Sequence, residues 1–194
     1  MNRLLELALG GVFFASAAPG EEALPAGDPE AGRKVAGMCR TCHGLDGYAK
    51  IPIAPHVGGE PAAYLSRQLT AFRDGTREHE MMTVVARGLS DQQILDVSSW
   101  YARHTATATL DTDAANAPEL CSGCHGSDGI AVVEDAPHLA GETNIYIETQ
   151  LKAYRTSKRS HEIMSDIAAA LTDNEIRAAA DWYAKVRLEI APTD

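Results

Sequence analysis

An all-α fold made of two tandem units related by duplication is what this sequence predicts, and three observations predict it. Shifted by 82 positions, the 194-residue chain lays Cys39 on Cys121 and stays in register without a gap through Ala102 on Ala184; 28 of the 66 pairs between 39–104 and 121–186 are identical. Such self-similarity means that one structural unit has been duplicated. All four cysteines fall in two identical motifs, Cys39-x-x-Cys42-His43 and Cys121-x-x-Cys124-His125. Helix-start signals recur at matched places, and no convincing alternating strand appears between them.

The elements follow in chain order. Met1-Asn2-Arg3, an apolar run from Leu4 to Phe14 and Ala15-Ser16-Ala17-Ala18-Pro19 have the pattern of a secretory signal, expected over residues 1–18 with cleavage after Ala17 or Ala18; Glu6 is a departure from it. No other segment approaches the ~20 apolar residues that span a bilayer. Asp28-Pro29-Glu30 is a capped helix start with proline in the first turn. A helix into the cysteine motif, a Gly/Pro-rich loop, a middle helix over 61–72, a methionine-bearing loop and a final helix make the first unit, 26–106. Ser90-Asp91-Gln92-Gln93 resembles a capping box before Ile94, Val97, Trp100 and Tyr101 at helical spacing. Thr172-Asp173-Asn174-Glu175 repeats the signal in the second unit, 107–190. The Thr/Ala/Asp-rich stretch 105–117 reads as linker and lead-in, and His104, which has no matched histidine, as a solvated helix end.

The cysteine arithmetic points to covalent haem attachment, with no thiol left over. In such a site each S–H adds across a haem vinyl group and the adjacent histidine is held under the iron, so Cys39, Cys42, Cys121 and Cys124 would carry two haem c groups. His43 and His125 would be the proximal ligands. A disulfide framework is a poor rival, because Cys-x-x-Cys pairs close trivial loops. Zinc would require one site closed across 82 residues and would leave the histidines unexplained.

The sixth ligand must come from elsewhere in each repeat. Met82 and Met164 each lie 39 residues beyond the proximal histidine, and register favours them: Met81 matches Ile163, whereas Met82 is preserved as Met164. A thioether favours ferrous iron and leaves no place for substrate. The competing ligands are the matched pairs His79/His161 and His56/His138. The first pair can instead bond a propionate or the backbone; the second lies in a loop suited to covering a haem edge. The carbonyl of Pro55 or Pro137 could accept the proximal Nδ1–H and fix the ring, unless these prolines only punctuate a turn. Trp100, Tyr101, Trp182 and Tyr183 would line the haem or pack helix on helix. Arg73/Arg155 and Tyr64/Tyr146 would reach propionates or serve at a surface or interface.

These residues resemble a family, the dihaem class I cytochromes c of the cytochrome c4 type. The resemblance runs through both Cys-x-x-Cys-His-Gly motifs, the Pro-x-x-x-Gly segments 55–59 and 137–141, the Tyr-x-x-x-Gln-Leu helices and the methionine loops. It implies two class I cytochrome c domains packed about a pseudo-two-fold, passing electrons to oxidases or other periplasmic acceptors. The chain departs from the family in carrying histidine, where lysine is common, at positions 56 and 138. It is also similar to the dihaem subunits that partner flavoprotein sulfide dehydrogenases.

The charge of −10 is uneven: residues 28–104 hold nine basic and nine acidic side chains, residues 105–194 seven and fifteen. A basic redox partner at the C-terminal unit is one expectation and plain solubility another, while nucleic acid is not an expected partner. The enzyme alternative, a dihaem oxidoreductase with one open haem, would call for asymmetry between the repeats. The matched methionines do not supply it.

Overall fold

The structure is a computed structural model that describes residues 26–192, so the expected signal at 1–18 lies outside the described residues. Among the described residues, eight α-helices and one two-stranded sheet follow in order: α1 (Pro29–His43), α2 (Ala62–Asp74), α3 (Glu80–Arg87), α4 (Asp91–Ala102), β1 (His104–Thr109), α5 (Glu119–His125), α6 (Asn144–Arg155), α7 (Glu162–Ala170), α8 (Asp173–Tyr183) and β2 (Arg187–Pro192), with a 3-10 turn at Ala114–Asn116 before α5. Asp28 caps α1 by accepting from the Glu30 N–H, and the capping boxes at Ser90/Gln93 and Thr172/Glu175 open α4 and α8 as their sequences predict.

Each unit has its own core. In the first, Val35 and Ala36 of α1 and Tyr64 and Leu65 of α2 meet Ile94, Val97 and Tyr101 of α4. In the second, Ile147, Leu151 and Tyr154 of α6 pack with Ala168 of α7 and with Ile176, Ala180 and Tyr183 of α8. The helix α1 crosses α4 so closely that a Cβ on Gly32 would lie 1.9 Å from the Asp96 carbonyl oxygen. Its counterpart α5 is 7 residues long against 15, so the second unit lacks that crossing.

Three expectations need correction. The 105–117 linker begins with strand β1, which pairs antiparallel with β2 from His104↔Pro192 to Thr109↔Arg187. The pairing partner lies some eighty residues away, and alternating Thr and Ala give too weak an apolar signal to announce a strand. His104 is buried at 6% exposure, with Nδ1 against the Trp100 and Tyr101 carbonyls and its ring edge-on to Trp100. The methionine loops are helices α3 and α7, with Met82 and Met164 in their first turns. Their caps are His79 and His161, whose Nδ1 atoms accept from the amides of residues 81 and 82, and 163 and 164.

The units meet through reciprocal bonds about a pseudo-two-fold. The His56 N–H donates to Glu142 Oε1 at 2.8 Å and the His138 N–H to Glu60 Oε1 at 2.9 Å. His56 Nε2 meets the Gly141 carbonyl and His138 Nε2 the Gly59 carbonyl, each at 3.1 Å. These histidines therefore bridge the units and do not merely cover a haem edge. Arg67 pairs with Asp135 at the margin.

Candidate haem sites

Both attachment motifs sit on the last turn of a helix. Gly44 and Gly126 end these helices at φ 74° and 75°, in a backbone region that side chains avoid; a Cβ would lie 2.4 Å from the Tyr48 carbonyl oxygen at one and 2.1 Å from that of Ile130 at the other. The turn beyond is pinned from the last helix of the unit. Tyr101 Oη donates to the Gly44 carbonyl and Trp100 Nε1 to that of Leu45, at 3.2 and 2.7 Å. Tyr183 and Trp182 do the same for Gly126 and Ser127 at 3.1 and 3.0 Å. The four aromatics thus position the backbone next to His43 and His125.

His43 and His125 are buried, at 9% and 6% exposure. Each Nδ1–H donates to a proline carbonyl 12 residues on, Pro55 or Pro137, at 2.9 Å. That bond fixes the tautomer, so the lone pair lies on Nε2, the nitrogen available to a metal. Burial chiefly holds both imidazoles below the usual histidine range, and the proline carbonyls partly offset it. Burial likewise pushes the Cys39 and Cys121 thiols up. Neutral sulfur in an apolar wall suits a thioether, which carries no charge.

Met164 packs on the core of its unit, and Met82 is half-buried. Their chain neighbours Met81 and Ile163 point outward at 63% and 56% exposure. His79 and His161 spend Nδ1 on the helix cap, and His161 Nε2 lies 3.2 Å from Asp135. Arg73 and Arg155 pair with Asp91 and Asp173 at the surface, at 2.6 and 2.7 Å.

Sequence reasoning missed Arg77 and Arg159, although they match at the 82-residue shift. Both are buried at the pseudo-two-fold, at 8% and 5% exposure. Arg77 bonds Gln68 and Gln150 at 2.6 and 2.7 Å, while Arg159 bonds Gln150, Gln68 and the Tyr64 hydroxyl at 3.0 to 3.1 Å. These partners are neutral, and no carboxylate pairs with either guanidinium among the described residues. Two buried cations facing each other call for anions. Haem propionates are anions that would meet this need, so the residues fit the group: cysteines to attach it, Nε2 lone pairs to hold iron, and a cationic centre between the units. The four thiols do not form one metal site, since Cys39 packs on the first core and Cys121 on the second.

Comparison with known proteins agrees with this geometry. Residues 114–186 match the cytochrome c family model. Cytochrome c4 of Thiocapsa roseopersicina is 34% identical over 176 residues, covering 80% of this chain and 91% of that protein. The thiosulfate dehydrogenase electron acceptor of Thiomonas intermedia is 32% identical over 95% of this chain and 91% of its own length. The crystal structure of reduced cytochrome c4 from Pseudomonas stutzeri superposes with a TM-score of 0.70 at 26% identity, covering 84% of this chain and all of that one. Two matched attachment sites, two class I domains about a pseudo-two-fold and these relatives place the chain in the cytochrome c4 family, as an electron carrier with two haem c groups.

Proposed function

We propose that the chain is a periplasmic carrier that passes single electrons between redox partners through two His/Met haems, His43 with Met82 and His125 with Met164. The observation that carries this reading is the contrast at matched helix starts, where Met82 and Met164 are half-buried, Met164 against its core, while Met81 and Ile163 face solvent. Bound haem supplies the one-electron ferric/ferrous couple. The protein's part is to fix the proximal imidazoles on the Pro55 and Pro137 carbonyls, to close the sixth position with a thioether, and to surround the site with apolar side chains. Both repeats close that position alike, which favours transfer over catalysis. An exported location agrees with the signal-like start of the sequence, because c-type haem is attached outside the cytoplasm. Among the described residues no helix is long and apolar enough to cross a membrane.

The acidic C-terminal unit suits a basic partner, and the near-neutral N-terminal unit a different one. A second reading, acceptor for a thiosulfate-oxidising enzyme, is favoured by the Thiomonas relative, whose name states that role and whose match spans nearly the whole chain. A flavoprotein dehydrogenase is the alternative donor, and affinity capture from periplasm separates the two by which enzyme co-purifies.

The visible spectrum tests the ligand set. Sharp α and β bands in the reduced protein, unchanged by carbon monoxide, and a far-red sulfur-to-iron band in the oxidised protein are expected. Met82→Ala and Met164→Ala should each open one haem to carbon monoxide. A wild type that binds carbon monoxide, or that lacks the far-red band, refutes the axial assignment.

A further inference from the structure

We propose that Glu60 and Glu142 are positioning residues that act crosswise, the carboxylate of each unit setting the strength of the hydrogen bond that holds the proximal histidine of the other. The path runs through one peptide group on each side. The Pro55–His56 peptide offers its carbonyl to His43 Nδ1–H at 2.9 Å, and its N–H donates to Glu142 Oε1 at 2.8 Å. The Pro137–His138 peptide offers its carbonyl to His125 Nδ1–H at 2.9 Å, and its N–H donates to Glu60 Oε1 at 2.9 Å. Because the amide is conjugated, an acceptor that draws on its N–H places more negative charge on its oxygen. The carbonyl then pulls harder on the imidazole proton, and the more anionic ring favours ferric iron.

The placement of these carboxylates calls for such a role. They are 4% and 3% exposed, and among the described residues neither has an ion-pair partner and the Oε2 atom of each lacks any hydrogen bond. Burying two half-satisfied carboxylates near one pseudo-axis costs stability that a neutral amide would not. Burial accordingly pushes both well above the usual carboxylate range, and Glu60 raises Glu142 further. The groups facing them are His138 and Glu142 for Glu60, and His56, Glu60 and Tyr146 for Glu142. Each relay peptide is also clamped by its own histidine ring, whose Nδ1 accepts from the Ala49 or Ala131 N–H while Nε2–H reaches across to Gly141 or Gly59. The relay is therefore rigid only while the units are docked, which makes the docking itself a determinant of both haem potentials.

The inference rests on His43 and His125 being the proximal ligands. The test uses the full-length holoprotein at mildly alkaline pH, with each haem's signals assigned through Met82→His, which lowers the potential of the first haem alone. Glu60→Gln keeps an acceptor oxygen but removes the charge. It should raise the potential of the second haem, changing its reduced-to-oxidised ratio about fivefold at fixed solution potential, the equivalent of one strengthened hydrogen bond. The first haem should move far less, and Glu142→Gln should give the mirror result. Glu60→Asp keeps the charge but withdraws it from the N–H, and should move the second haem in the same direction. In proton NMR of the reduced protein the Nδ1–H resonance of His125 should shift in Glu60→Gln while that of His43 stays. On acidification the wild type should converge on the variant. Shifts confined to the haem of the mutated unit, equal shifts in both, or none would overturn the relay while leaving the ligand assignment intact. A wild type without a low-spin, histidine-ligated spectrum removes the ligand reading and the relay with it.

Discussion

Acidification should loosen the contact between the units, and His56 and His138 carry the effect. Each ring accepts a backbone N–H on Nδ1, from Ala49 or Ala131 at 3.0 Å, so its proton lies on Nε2 and donates across the interface. A second proton has only Nδ1 to occupy, where it would confront the N–H that now donates. Burial is the leading cause that holds both rings below the usual histidine range, partly offset by the Gly141 and Gly59 carbonyls. With the folded pKa below the unfolded one, the unfolded chain takes up protons that the folded chain refuses. Stability therefore falls as pH drops from about 6.5. Glu60 and Glu142 act in the opposite sense: their folded pKa values are raised, so their contribution is complete below about pH 4.5 and is lost as pH rises through the folded values. The observed slope is the difference of the two. Replacing His56 and His138 by glutamine keeps an N–H donor, removes the titrating ring and leaves the carboxylates as they are. Each protonation forfeits one hydrogen bond to a backbone amide, about 1 kcal/mol per ring once solvent contact is allowed for. Guanidinium unfolding of wild type and double variant across pH 5 to 8, roughly the histidine range, should show the wild type losing about 2 kcal/mol more on acidification. Parallel pH profiles for the two proteins would refute the reasoning.

Three further outcomes follow from the site. Tyr101→Phe removes the hydroxyl donor to the Gly44 carbonyl and keeps the ring, and Tyr183→Phe does the same at Gly126, whose carbonyl still accepts from the Gly129 N–H at 3.3 Å; the denaturation midpoint of the unit concerned should fall by the equivalent of about 0.5–1.5 kcal/mol, less for Tyr183→Phe. Gly126→Ala forces a side chain into the left-handed region and against the Ile130 carbonyl, so intact-mass measurement should find protein with one haem where the wild type carries two. Stopped-flow electron transfer to a basic partner should slow steeply with added salt, and transfer to a partner of the N-terminal unit only weakly; equal salt dependence would count against separate docking faces.

The parts of the fold that were legible in the sequence are those set by local chemistry. Asp28, Ser90 and Thr172 cap their helices through their own hydroxyl or carboxylate, and the two Cys-x-x-Cys-His motifs mark their sites without help from distant residues. What was hidden depends on contacts across many residues or on an unusual donor. The helices α3 and α7 begin at an imidazole cap, which reading for Ser, Thr, Asp or Asn does not detect. Strand β1 needs β2 to exist. The bridging roles of His56, His138, Glu60 and Glu142 arise only when the units dock, although each pair was visible as a match between the repeats.

Duplication of one unit supplies both halves of a self-complementary interface at once, because residue i of one copy meets residue j of the other and the reverse. Glu60 with His138 and Glu142 with His56 follow this rule, as do Arg77 and Arg159 with Gln68 and Gln150. The bonds within each unit repeat as well, His43 to the Pro55 carbonyl and His125 to the Pro137 carbonyl, both at 2.9 Å. Departures from the repeat are found elsewhere: the first turns of α1 packed on α4, which the second unit lacks, and the excess of acidic side chains after residue 105. The interface therefore repeats the same bonds on its two sides, and the units differ on their outer surfaces, in the longer first helix and in charge.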